Sequence, residues 1–152
     1  MVGLSRSPLR HQLAFKGGTA LKKCYFWDYR FSEDLDFTLT EEISWDEIER
    51  GLAQVFEETR RASGIEIRLD HKDPQSHQNS HTFYLEYEGP LPAGRGKTVK
   101  VDITIRERLV LPLEERAILR GYEEYHDLSE GAFLRVYFLR EVAVEKTVAL
   151  MH

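Results

Sequence analysis

Two aspartates, Asp34 and Asp36, are the first residues along the chain whose types and spacing predict chemistry. Because residues i and i+2 of a strand project to the same side, their carboxylates are expected to lie together, while Leu35 and Phe37 face the core. Two neighbouring carboxylates repel each other unless a cation lies between them. Hard divalent ions such as Mg²⁺ or Mn²⁺ prefer oxygen ligands, so the pair predicts a metal site.

A third carboxylate and a glycine pair extend this prediction towards phosphoryl transfer. Asp102 lies on the polar side of another predicted strand and would complete a three-carboxylate cluster. Such a cluster suits two metal ions, one lowering the pKa of an attacking hydroxyl and one stabilising a leaving pyrophosphate. Gly17 and Gly18 let backbone N–H groups approach phosphate oxygens closely, and a helix capped by Thr19 adds further donors. Their order along the chain predicts a nucleoside triphosphate–metal site.

Each of these features has a structural explanation when it is taken alone. A Gly-Gly pair is often only a turn, and an Asp-x-Asp pair is often a solvated strand face. The order of the glycine turn, the acidic pair and the third carboxylate is what favours a site.

The elements that must position these residues follow from hydrophobic periodicity. Residues 13–16 read as a short strand or the end of a helix. Alternation predicts strands at residues 34–39, 65–69, 82–87, 98–105 and 133–139. Because the strands after the long helix are close in sequence, we expect an α+β (mixed α/β) fold. Its sheet would be mixed and mostly antiparallel, with helices flanking it.

Helices and connections are predicted from capping and turn residues. Ser44 and Glu47 form a capping-box pattern that begins an amphipathic helix, which ends near Ala62 and before Gly64. Shorter helices are predicted at residues 20–25 and 140–151. Loops or turns are predicted at residues 70–80 and 89–96, and residues 111–125 mix turn and helix signals.

The bulk composition limits the function classes. A net charge of −5 argues against a general nucleic-acid binder, so any contact with nucleic acid would be local. The single cysteine, Cys24, cannot form an internal disulfide, which predicts a reducing, cytoplasmic location. No apolar run approaches the length of a membrane span, and residues 1–8 lack the apolar centre of a signal peptide.

The glycine turn and the acidic pair together resemble a known family. Residues 15–21 (FKGGTAL) and 30–37 (RFSEDLDF) are similar to the AbiEii/AbiGii toxin family. These are nucleotidyltransferase-like proteins of the DNA polymerase β type fold, many of them toxins of toxin–antitoxin or phage-defence pairs. Residues 100–103 (KVDI) look like the family's third acidic strand, and residues 145–150 (EKTVAL) look like its lysine-bearing helix.

The resemblance implies catalytic roles for four side chains. Asp34 and Asp36 would bind Mg²⁺ or Mn²⁺, and Asp102 would be the third metal carboxylate and the general base. Lys146 would reach a phosphate, a role that suits its compact point charge. The implied reaction moves a nucleotide from a nucleoside triphosphate to an RNA (tRNA) or protein hydroxyl, and an antitoxin protein is the implied partner.

Five further residues would form the nucleotide-binding part of the site. By the same resemblance, Gly17, Gly18 and Thr19 would bind the triphosphate. Arg30 and Ser32 match the family pattern and would shape the nucleotide pocket.

The end of the sequence departs from this pattern. The family usually continues past the lysine helix into an Arg-Asp-x-x-Asp-Leu type segment and a helical region, whereas this sequence ends at His152. We therefore expect one nucleotidyltransferase-like domain over residues 1–152 that lacks the C-terminal segment. An alternative is a catalytically incomplete module that binds a nucleotide or a partner protein.

A second alternative comes from another enzyme class. Residues 34–38 (DLDFT) also match the Asp-x-Asp-x-Thr pattern of haloacid-dehalogenase-like phosphatases, in which the first aspartate is a nucleophile. That fold needs an apolar strand directly before the pair, but residues 29–33 are YRFSE. A downstream acidic pair after an apolar strand is also missing, so this alternative is the less favoured one.

Overall fold

A computed structural model of the chain describes residues 2–17, 34–74, 79–88, 97–107, 112–118 and 133–137. The helices in these ranges are α1 (Val2–Ser5), a 3-10 helix (Pro8–His11) and α2 (Trp45–Ser63). The strands are β1 (Leu13–Lys16), β2 (Leu35–Leu39), β3 (Glu66–Lys72), β4 (Ser80–Glu88), β5 (Lys97–Thr104), β6 (Glu114–Ala117) and β7 (Phe133–Val136).

The seven strands form one sheet in the order β3-β4-β5-β2-β1-β7-β6. β2 runs parallel to β5, and β1 runs parallel to β7. The other neighbouring pairs are antiparallel. The predicted mixed, mostly antiparallel sheet with helices packed on it is therefore confirmed.

Local capping signals set the bounds of α2. The Ser44 side chain accepts a hydrogen bond from the backbone N–H of Glu47, and the Glu47 carboxylate accepts one from the backbone N–H of Ser44. Gly64 ends the helix in the left-handed conformation, with φ of 73°. Both predicted helix ends are confirmed, because the caps satisfy backbone groups that a helix end would otherwise leave unpaired.

Each central strand has one apolar and one polar face. On the apolar face, side chains of the sheet pack with buried residues of α2 into one core; its members from the sheet include Phe15, Phe37, Phe83, Val101 and Ile103. Trp45, at the start of α2, meets the Phe83 ring edge-on with centroids 5.3 Å apart. The strand alternation therefore directs the intervening polar residues to the opposite face.

Two predicted connections contain strand residues. The predicted loop at residues 70–80 was wrong at both ends, since β3 continues to Lys72 and β4 begins at Ser80. A bulge between Leu69 and His71 breaks the alternation there, and the His71 ring stacks on Tyr84. Such a bulge conceals the end of a strand from a period-2 pattern.

The mixed signals of residues 111–125 also concealed a strand. β6 is a four-residue edge strand that is mostly exposed and pairs only through β7 among the described strands. An exposed, charged edge strand carries little apolar alternation, which is why the pattern missed it. The helices predicted at 20–25 and 140–151 and the turn at 89–96 lie outside the described residues.

Within the described ranges, no helix is both long enough and apolar enough to cross a membrane.

Candidate active site

Asp36 and Asp102 lie opposite each other on neighbouring strands. The parallel pairing of β2 and β5 places Asp36 in register with Asp102, and both residues are half-buried. Adjacent strands lie about 4.8 Å apart, so the two carboxylates share a small region of the polar face. Because the two residues are far apart in the chain, the sequence predicted that both lie on a polar face but did not predict that they are in register.

Burial and the neighbouring charges both affect the pKa of Asp36. Burial raises the pKa of Asp36 above its usual value, and the negative charges of Asp102 and Asp34 raise it further. Lys16 and Lys100 oppose this shift. A carboxylate that is destabilised both by burial and by like charges is one that a nearby cation would stabilise.

Two neighbours orient the Asp102 carboxylate. Thr82, its register partner on β4, donates a hydrogen bond of 2.5 Å from Oγ1 to Oδ1. Lys100 Nζ lies 3.3 Å from Oδ2, and the Asp102 charge raises the pKa of Lys100. Both oxygens of Asp102 therefore have a defined environment, with the ammonium of Lys100 on the more exposed side.

The backbone at Gly17 contacts the side chain of Asp36. Gly17 directly follows Lys16, the β1 residue in register with Asp36, and its φ is +79°. A Cβ placed at Gly17 would lie 2.6 Å from Asp36 Oδ2, which is closer than real Cβ atoms approach. Glycine is required here for two reasons, the left-handed backbone and the close approach of the carboxylate. Gly17 and Asp36, which belong to the two predicted motifs, thus meet in space.

A second polar cluster on the same face was not predicted. The Glu107 carboxylate accepts hydrogen bonds at Oε2 from Lys16 Nζ (2.6 Å), Thr38 Oγ1 (2.7 Å) and the Tyr137 hydroxyl (2.6 Å). Lys16 Nζ also donates to Thr104 Oγ1 at 3.0 Å. We call these five residues the Glu107 cluster. Strand alternation puts Thr104 beside Asp102, but Glu107 lies beyond the end of β5, where no periodicity marks it.

The donor chemistry of the carboxylates suits a hard divalent cation. Asp36 and Asp102 offer oxygen ligands from rigid strands, and Asp34 adds negative charge at the start of β2. In the part of the chain that the structure describes, no group of three His, Cys, Asp or Glu side chains is arranged as a metal-binding group. Asp36 and Asp102, which are in register on neighbouring strands, are the carboxylates whose placement suits a shared cation.

The predicted site residues divide into two groups. Gly17, Asp36 and Asp102 come together, and Asp34 lies close enough for its charge to act on Asp36. The other predicted residues lie outside the described ranges, and they are Gly18, Thr19, Arg30, Ser32 and Lys146.

Comparisons with known proteins agree with this arrangement. A search of curated proteins gave no match. The sequence model described as "Nucleotidyl transferase AbiEii toxin, Type IV TA system" matches residues 1–152, the whole of this sequence. The match confirms the resemblance seen in the sequence. The chain belongs to the AbiEii nucleotidyl transferase toxin family of type IV toxin–antitoxin systems.

Proposed function

We propose that the chain is a metal-dependent nucleotidyltransferase that transfers a nucleotide from a nucleoside triphosphate to the hydroxyl of an RNA (tRNA) or protein acceptor. The observation that carries the proposal is the register of Asp36 and Asp102 on adjacent strands, with the Gly17 backbone packed against Asp36. As a member of a toxin family, the chain would act on cellular acceptors and be opposed by an antitoxin protein.

The carboxylates would hold Mg²⁺ or Mn²⁺ beside the triphosphate. Asp36 and Asp102 are the proposed ligands, with Asp34 as a third. A bound divalent ion at such a site neutralises phosphate charge and lowers the pKa of an attacking hydroxyl. The rest of the chemistry would depend on side chains and backbone groups of the chain itself.

Asp102 is the proposed general base. It would accept the proton of the acceptor hydroxyl as that oxygen forms a bond to the α-phosphorus and pyrophosphate leaves. Thr82 and Lys100 would keep its carboxylate in one orientation during this transfer.

The triphosphate would lie at the glycine turn. Gly17, Gly18 and Thr19 are the proposed phosphate-binding residues, because backbone N–H groups at a glycine turn bind phosphate oxygens without steric hindrance. Lys146 is the proposed phosphate contact, and Arg30 and Ser32 are the proposed nucleotide-pocket residues; these three roles come from the family resemblance.

Radiolabelling with purified full-length chain tests the proposal. Each of the four triphosphates, labelled at the α-phosphate, would be incubated with total cellular RNA or with total cellular protein, in Mg²⁺ or Mn²⁺, with and without EDTA. We expect label on RNA or on a protein with at least one triphosphate, and no label in the presence of EDTA. The position of the label in a gel identifies the acceptor.

Calorimetry distinguishes transfer from binding alone. Metal-dependent binding of a triphosphate with no label on any acceptor would instead identify a nucleotide-binding module. Mg²⁺-dependent binding of beryllofluoride, a mimic of an aspartyl phosphate, would point to the phosphatase chemistry of an Asp-x-Asp-x-Thr motif. No binding of metal or of any triphosphate would contradict both the enzyme and the nucleotide-binding module.

A further inference from the structure

The Glu107 cluster connects the ends of four neighbouring strands on the polar face. Lys16 is the last residue of β1, Thr38 lies in β2, Thr104 is the last residue of β5, and Tyr137 directly follows β7. Glu107 lies three residues after β5, and a single carboxylate oxygen accepts from three of these side chains.

The side chains of the Glu107 cluster are largely buried, which favours a single geometry for their hydrogen bonds. Thr38 and Tyr137 are fully buried, and their hydroxyl oxygens lie 2.7 Å from each other. The Lys16 and Glu107 side chains are only 14% and 26% exposed, so their charges neutralise each other in a site with little water. A buried polar network of this kind has one favourable geometry, because any displacement leaves a charged group unpaired.

The cluster restrains the two residues whose contact lies at the centre of the candidate site, Gly17 and Asp36. Lys16 directly precedes Gly17, so fixing the Lys16 side chain restrains the Gly17 backbone. Thr38 lies two residues from Asp36 on the same face of β2. The same Glu107 oxygen therefore accepts hydrogen bonds from the residue before Gly17 and from the residue two positions after Asp36. It thereby restrains both partners of the Gly17–Asp36 contact.

We infer that Glu107 is a positioning residue for nucleotide transfer: acting through Lys16 and Thr38, its carboxylate holds the Gly17 backbone against Asp36. The inference rests on the proposed function for its catalytic consequence. The hydrogen bonds from Lys16 and Thr38 connect Glu107 to the strand segments that carry Gly17 and Asp36. Its effect on turnover is therefore transmitted through β1 and β2.

The test compares Glu107→Gln with Glu86→Gln in the full chain. Glu86 is the matched control, because it is a partly buried glutamate on β4 that pairs with Arg68 at 2.9 Å, outside the cluster. Displacement of reacting groups by about 1 Å costs on the order of 100-fold in rate, so we expect kcat of Glu107→Gln to fall about 100-fold. KM for the triphosphate should change much less, and Glu86→Gln should leave kcat unchanged.

A second measurement does not depend on activity. In ¹⁵N relaxation experiments, the order parameter of the Gly17 amide should fall in Glu107→Gln and stay at its wild-type value in Glu86→Gln. A wild-type kcat in folded Glu107→Gln, or an unchanged Gly17 order parameter, would overturn the inference. If the wild-type chain transfers no nucleotide, the proposed function fails, and the relaxation measurement still decides the positioning role.

A milder variant covers the case in which Glu107→Gln does not fold. Tyr137→Phe removes one hydrogen bond to Glu107 and keeps the buried ring. We expect a smaller loss in kcat and a smaller drop in the Gly17 order parameter. Wild-type values of both quantities in this variant would also contradict the inference.

Discussion

The two faces of β2 and β5 differ sharply, although alternating residues of the same two strands form them. On one face, Phe37 and Ile103 are almost completely buried against the core below α2. On the other, Asp36 and Asp102 repel each other, and the pKa of Asp36 is raised. Burying one large apolar side chain contributes about 1.5–3 kcal/mol, so the apolar face can offset the cost of placing like charges side by side. Stability and chemistry are thus assigned to opposite sides of the same strands.

A second contrast lies within the polar face itself. In the Glu107 cluster, a negative and a positive charge lie 2.6 Å apart and the surrounding hydroxyls are hydrogen-bonded. Asp36 lies two residues before Thr38 on β2, and there burial and the like charges of Asp102 and Asp34 raise its pKa although Lys16 and Lys100 act in the opposite direction. The satisfied cluster can therefore fix the backbone, while the ionised form of the adjacent Asp36 carboxylate is one that a cation would stabilise.

The largest effect is expected when the charge of Asp36 is removed. Asp36→Asn should abolish metal-dependent transfer, because a proposed ligand is lost and each ion contributes several kcal/mol to such a reaction. The same change should slightly raise the free energy of unfolding without metal. The raised pKa of Asp36 means that its ionised form destabilises the folded state, since burial and the charge of Asp102 both act against it.

Labelling assays and urea denaturation of the two chains measure these opposite changes. Asp46→Asn is the control, because Asp46 is exposed on α2, on the other side of the sheet. Transfer that survives in Asp36→Asn would remove Asp36 from the proposed site.

Truncation of a side chain on the apolar face should lower the free energy of unfolding, whereas Asp36→Asn should raise it. Phe37→Ala removes a ring that is stacked on Phe15 with centroids 5.1 Å apart and is 4% exposed. We expect the free energy of unfolding to fall by about 3–5 kcal/mol, as for other buried aromatic residues. In urea denaturation, Phe133→Ala provides the matched comparison, since Phe133 is 41% exposed and should change stability by less than about 0.5 kcal/mol. Equal losses in the two variants would contradict the packing of this face.

A comparison of alanine variants at two glycines distinguishes the effect of backbone strain from the effect of site geometry. Gly17 and Gly64 both have positive φ, 79° and 73°, so alanine at either position should cost about 1–2 kcal/mol of stability. Only Gly17→Ala also introduces a Cβ 2.6 Å from Asp36 Oδ2. We therefore expect nucleotide transfer to be lost in Gly17→Ala and retained in Gly64→Ala when both are assayed below their melting temperatures. Full activity in Gly17→Ala would show that the contact with Asp36 is not needed.

Local patterns predicted the parts of this fold that depend on neighbouring residues. Alternation around Asp36 and Asp102 assigned each side chain to its face, and Ser44 and Gly64 marked the ends of α2. The bulged end of β3 and the exposed edge strand β6 were missed, because neither has a regular apolar period.

The contacts that form the site join residues that are far apart in the sequence. The pairing of Asp36 with Asp102 depends on strand order, which alternation does not encode. Glu107 bonds to Lys16 and Thr38, which are 91 and 69 positions away, so no local pattern could indicate these partners. Residue types therefore predicted the chemistry, whereas the supporting cluster required the tertiary structure.

The smallest effect is expected at the helix cap that supports the apolar face. Ser44→Ala removes the side chain that accepts the Glu47 N–H and leaves that group to solvent, which should cost about 1 kcal/mol of stability. Because α2 packs on the face opposite the carboxylates, kcat should not change. Thermal denaturation and the labelling assay on the same preparation measure both quantities. A drop in kcat beyond the loss of folded protein would mean that the two faces are coupled through the sheet, and the division between stability and chemistry would have to be abandoned.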